Sequence, residues 1–103
     1  MANFYNITGS TGVTVELIKP ESEININSVL LTNIHDTADA TVTLFLQDDP
    51  ASGTTQTYKI INLVAIPATT SLFLDNSYMF SRPTAFGLYI TVGGSDTVDV
   101  IVS

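Results

Sequence analysis

Apolar and polar residues alternate along most of this chain with the two-residue period of a strand that buries one face. The alternation is cleanest over residues 40–47, where Val42, Leu44 and Leu46 fall on one side and Thr41 and Thr43 on the other. Two further alternating runs, 85–92 and 97–102, flank Gly93, Gly94, Ser95 and Asp96. Paired glycines supply the positive φ of a tight turn, so these runs predict a terminal hairpin. Residues 13–19 predict a strand with Val13, Val15 and Leu17 on one face, ended by Pro20, which has no amide to donate.

The remaining segments are less regular. Residues 3–8 form a weaker strand candidate, closed by Gly9 and Gly12. Residues 24–35 are long for one strand and shift register at Ser28, which predicts a bulge. Residues 58–66 are apolar on both sides of Asn62, the pattern of either a central strand or a bulged one. A turn at 67–70 leads into 71–75, and 48–55 and 76–84 read as connections. No stretch carries apolar residues at helical spacing, and β-branched residues dominate. Seven or eight strands in 103 residues predict an all-β antiparallel sandwich, Ig-like or jelly-roll, in a single domain over 1–103. Within it, residues 1–12 are expected as a loosely specified arm. The chain has neither Cys nor Trp, so the signature of true immunoglobulin domains is absent.

Charge narrows the partners. Ten acidic residues against Lys19, Lys59 and Arg82 give a net charge of −7. Tracking phosphates or an anionic membrane surface requires clustered Lys and Arg, so neither nucleic acid nor membrane is expected as a partner. No apolar run approaches the ~18 residues of a spanning helix, and residues 1–20 show no basic start followed by an apolar block. Only 13% of residues are charged, against about 25% in ordinary soluble domains. A Thr-rich, weakly charged exterior suits sheets whose outer faces meet other protein, and equally suits a β-protein that uses Thr for its strand preference.

Candidate chemistry is sparse. His35 lies next to Asp36 and near Asp39, but no nucleophile-elbow motif accompanies it, and the segment reads as a polar turn. Asp36 with Asp39, or Asp48 with Asp49, lacks the spacing of a calcium loop. Glu16, Glu21 and Glu23 crowd Pro20 instead of facing each other across a cleft. Asn6, Ile7 and Thr8 match the glycosylation pattern without an export signal to make it meaningful. The expectation is therefore no catalytic residue, no metal and no cofactor. The sharper signal is apolar residues on faces that alternation marks as wet: Phe45, Phe73, Tyr89 and Ile101. A contiguous patch of such residues marks an interface, and few lysines guard the strand edges, so self-association or docking on a larger protein follows. The alternative is a carbohydrate- or receptor-binding module with Tyr78, Phe80 and Arg82 as contacts.

Taken whole, the order of residues 28–34, 40–46, 58–60, 66–75 and 98–102, with its Thr-rich strands, its Ile66-Pro67-Ala68 turn and its closing alternation, resembles the small all-β accessory proteins of tailed-phage virions, especially capsid decoration or cement proteins. The resemblance covers nearly the full length but is one of style, not of diagnostic motifs. It implies a non-enzymatic homo-oligomer, commonly a trimer, bound to capsid, neck or tail protein, with the capsid surface as its location.

Overall fold

The computed structural model describes residues 3–8, 14–20, 26–48, 56–75, 86–93 and 97–103 of the chain. Eight strands are present: β1 (Asn3–Thr8), β2 (Thr14–Ile18), β3 (Val29–Asn33), β4 (Ala40–Asp48), β5 (Thr57–Ile66), β6 (Ser71–Leu74), β7 (Phe86–Val92) and β8 (Thr97–Val102). They form two antiparallel four-stranded sheets, β1-β8-β3-β6 and β2-β7-β4-β5. The pairs β1·β8, β2·β7, β3·β6 and β4·β5 nest inside one another, as if one long hairpin had been rolled over on itself. That nesting is the strand order of a jelly roll, and it selects this fold over the Ig-like alternative.

Alternation sets the core. β3 contributes Val29 and Leu31 and β8 contributes Val98, Val100 and Val102 from the first sheet. Across from them lie Val42 and Leu44 of β4 and Leu88, Ile90 and Val92 of β7, all essentially sealed from water. Each such side chain stabilises the fold by about 1.5–3 kcal/mol relative to exposure. Tyr5 faces inward from β1, and its hydroxyl donates to the Leu17 carbonyl of β2, joining the two sheets by a polar bond at the core margin. Burial, and then the nearby Glu16 carboxylate, push the Tyr5 phenol above its ordinary pKa of 10.0.

Two expectations are corrected. β7 and β8 are not a hairpin: β7 pairs with β2 and β4, while β8 pairs with β1 and β3. The chain passes from one sheet into the other between Gly93 and Thr97. Gly93 N–H still bonds back to the Thr41 carbonyl at 2.9 Å, holding the end of β7 to β4. The bulge expected at Ser28 is present: the Asn27 and Ser28 N–H groups both donate to the Ser103 carbonyl, at 2.7 and 3.0 Å, so two residues oppose one. Residues 3–8, counted within the loose arm, are a strand paired in unbroken register from Asn3↔Val102 to Thr8↔Thr97. The bulged reading of 58–66 is the one observed: β5 shifts register twice against β4 and carries Leu63 at φ 52°. β4 and β5 are the one consecutive pair among these strands that also pair with each other. Asp48 closes the base of that hairpin, with Oδ1 accepting the Gln56 N–H at 2.7 Å.

Two side-chain details tie the layers. Asn33 is completely buried at the end of β3 and donates through Nδ2 to the carbonyls of Ala38 (2.8 Å) and Ile66 (2.9 Å), while its Oδ1 accepts the His35 N–H (3.0 Å). Both N–H donors and the amide oxygen are thereby engaged, which is what keeps a buried amide tolerable. At Gly87 on β7 a Cβ would stand 2.6 Å from the Ile18 carbonyl oxygen and 2.9 Å from Pro20 Cδ, so β2 can lie this close only over glycine.

Candidate interaction face

The outward residues of the β1-β8-β3-β6 sheet fall into rows that run across the strands. Phe4 lies opposite Ile101, Ile101 opposite Leu30, and Leu30 opposite Phe73. Partners in register point to the same side, so these four side chains make one apolar row that spans all four strands. Three inter-strand spacings give the row a length of roughly 14 Å. Phe4 is 73% exposed, Phe73 57% and Ile101 36%, with Leu30 half-buried between its neighbours. Polar rows bound it on both sides. On one side Asn6, Asp99, Thr32 and Ser71 pair in register, with Asn6 Nδ2 donating to Asp99 Oδ1 at 2.6 Å and the Thr32 and Ser71 hydroxyls 2.8 Å apart. On the other side the hydroxyls of Ser28 and Ser103 meet at 3.3 Å. An apolar strip rimmed by polar groups already bonded to one another is the anatomy of a protein-binding patch.

The outer face of the other sheet is arranged differently. Phe45 of β4 and Tyr89 of β7 are register partners whose rings stack with centroids 5.7 Å apart and planes 17° from parallel. The Tyr89 hydroxyl donates to Glu16 Oε2 at 3.3 Å, and Lys59 flanks Phe45 on β5. Phe45 is left 8% exposed, although it points away from the core. Beside it, buried Thr43 accepts the Leu63 N–H at 3.0 Å, fixing the bulge of β5.

The single face expected for Phe45, Phe73, Tyr89 and Ile101 is therefore two faces on opposite sides of the sandwich. Phe73 and Ile101 are brought together; Phe45 and Tyr89 form their own stacked pair, and Phe45 has little surface left for a partner. Phe4 and Leu30, which sequence reading passed over, complete the row. Their signal was register, which tells which strands are neighbours and cannot be read from alternation within one strand. Tyr78, Phe80 and Arg82 lie outside the described residues.

His35 is engaged in its own turn. Its Nδ1 accepts the N–H groups of Thr37 and Ala38, both at 3.1 Å, while its carbonyl accepts the Thr69 N–H at 3.2 Å. An imidazole used in this way organises the β3–β4 connection. Asp36 and Asp39 are exposed on the same connection, and Asp49 lies outside the described residues. Among the described residues no three His, Cys, Asp or Glu side chains come together as a metal site, and no helix is long and apolar enough to cross a membrane. Comparison with protein-family models, curated proteins and solved structures returns no match.

Proposed function

We propose that this chain is a non-enzymatic structural protein of a virion, of the capsid-decoration kind, which docks on protein through the outer face of its β1-β8-β3-β6 sheet. The observation that carries this reading is the Phe4–Ile101–Leu30–Phe73 row: an apolar strip four strands wide, open to water and framed by polar rows. Covering it removes apolar area from water at about 25 cal/mol per Å², before the cost of ordering the partners. A shell built of repeated subunits multiplies such a contact, so a modest patch holds firmly when many copies dock together. The jelly-roll strand order, shared by viral capsid domains and lectins, is support by analogy alone. The net charge of −7 suits a position on the outside of a shell, away from packaged nucleic acid.

The test is co-sedimentation of the chain with virus particles from its source on a density gradient, for wild type and for Leu30→Asp and Phe73→Asp. Wild type is expected with the particles. The two variants are expected to keep the wild-type thermal midpoint and to stay at the top of the gradient. A folded Phe73→Asp and Leu30→Asp that still travel with the particles remove the row as the docking surface. Wild-type protein that never travels with them removes the virion reading itself.

A further inference from the structure

We infer that the outer face of the β1-β8-β3-β6 sheet takes a basic protein surface, one that presents an apolar ridge with lysine or arginine on either side of it. The inference rests on the docking reading above and names the chemistry of the partner.

The two sheets differ in the charge they carry. Neither Lys nor Arg occurs in β1, β3, β6 or β8, and Asp99 of β8 is the one charged residue within those four strands. Asp75 follows β6 directly and is exposed. In the other sheet Lys59 of β5 and Lys19, next after β2, balance Glu16 of β2 and Asp48 of β4. Among the described residues, then, the docking sheet is acidic without a counter-charge, and the other sheet is mixed.

Register sets both carboxylates beside the apolar row. Asp99 is two residues from Ile101 on the same strand, so it stands about 7 Å from the row on one side. Its Oδ1 accepts from Asn6 Nδ2 at 2.6 Å, which orients the side chain. A carboxylate accepts at two oxygens, so this bond leaves capacity for a donor from a partner. Asp75 is two residues from Phe73 in the opposite direction, and the pairing of Leu74 with Val29 carries it to the outward side, next to Ser28. Four residues along the strands and two strand spacings across them separate the two carboxylates. They stand roughly 17 Å apart on a diagonal that crosses the row.

Charge complementarity selects the occupant. A second copy of this face brings carboxylate towards carboxylate, and the −7 of the whole chain opposes it at longer range. A surface with Lys or Arg outside an apolar ridge meets the reverse situation. The field of the chain draws it in, its cations reach Asp99 and Asp75 at the rim, and its ridge covers Leu30, Ile101 and Phe73. Rim charges of this kind govern association rate and partner choice more than final affinity. The contact is therefore apolar in its centre and yet sensitive to salt.

The probes are short peptides with leucine at alternate positions, ended by Lys, Gln or Glu, titrated into the isotope-labelled full chain and read by amide NMR shifts. The Lys-ended peptide is expected to move the amides of Leu30, Thr32, Asp99 and Ile101 and to bind about tenfold more tightly than the Gln-ended one. The Glu-ended peptide is expected to bind weakest. Asp75→Asn combined with Asp99→Asn is expected to erase the preference for Lys and leave binding of the Gln-ended peptide unchanged. Asparagine at 99 keeps an oxygen for Asn6, and an unchanged thermal midpoint verifies that the variant is folded. Lys59→Gln, on the other sheet, is expected to bind as wild type does. About 0.5 M NaCl is expected to remove the same preference, because screening then acts within ~5 Å. Equal binding of the Lys- and Gln-ended peptides overturns the inference, as does a preference that survives the double substitution. Shifts confined to the β2-β7-β4-β5 sheet, or no binding of any peptide, also overturn it. A chain that travels with particles but does not prefer the Lys-ended peptide keeps the docking function and loses the basic partner; a preference in a chain that never co-sediments does the reverse.

Discussion

Phe45 and Phe73 are the same residue type, each pointing outward from a strand of a four-stranded sheet, yet one is sealed and the other lies more than half in water. Their positions in the sheets account for the difference. Phe45 sits on β4, a central strand, with Tyr89 stacked on one side and Lys59 on the other. Phe73 sits on β6, an edge strand, with Leu30 as its one register partner among the described residues. The lesson is that an outward aromatic is judged by its flanking strands: in the middle of a sheet it becomes a second, smaller core, while at the border it remains available.

The largest expected effects test whether the two faces belong to one cooperative body. Leu31→Ala in one sheet and Leu44→Ala in the other, both wholly buried, should each lower stability by about 3 kcal/mol in urea unfolding, with a single transition. Two separable transitions would break the comparison, because the faces would then belong to independent halves. Asn33→Ala should lower stability by about 2–3 kcal/mol, since it strips partners from the Ala38 and Ile66 carbonyls. A loss under ~0.5 kcal/mol would show that water replaces the amide and that the clasp is dispensable.

The comparison itself is sharpened by truncating the two phenylalanines. Phe45→Ala should lower monomer stability by about 2 kcal/mol, while Phe73→Ala should stay within ~0.5 kcal/mol. Equal losses would mean that Phe73 is covered within one chain. The smallest effect is on pH dependence. Because the folded chain holds the Tyr5 proton more tightly than the unfolded chain does, the contribution of Tyr5 is whole below pH 10 and is lost as pH rises through the raised pKa of the folded state. Urea midpoints measured between pH 8 and 11.5, a range centred near the tyrosine pKa, should fall at the alkaline end, and less steeply in Tyr5→Phe. An unchanged slope in that variant would assign the alkaline loss elsewhere.

Strand existence and facing were legible where alternation was strict. Val42, Leu44 and Leu46 are inward on β4, and the outward assignment of Phe73, Tyr89 and Ile101 is what the register gives. What alternation lacks is any record of which strands are neighbours. The glycine pair at 93–94 predicted a hairpin, but glycines serve a crossing between sheets as well as a hairpin within one, and β7 and β8 lie in different sheets. The face expected to gather Phe45 with Phe73 failed for the same reason: facing outward is a property of one strand, whereas sharing a face is a property of the sheet. Asn33 was passed over because asparagine in a strand reads as a polar surface position. Its burial follows from the approach of the turn after β5, some thirty residues later in the chain.

The nested pairing also has a consequence in time. Only β4 and β5 can meet by closing a short loop, and every pairing outside them spans a longer stretch of chain, until the first strand finds the last. Loop closure becomes costlier and slower with each layer, so such a topology folds toward the slow end for its size and zips from its middle outward. Substitutions that weaken the β4–β5 hairpin should then slow refolding, while those in β1 should mainly hasten unfolding. Until β1 arrives, β8 lacks its outer neighbour, and the half-made sheet offers a full-length template to other nascent chains. The strand that pairs last decides how long that opening persists.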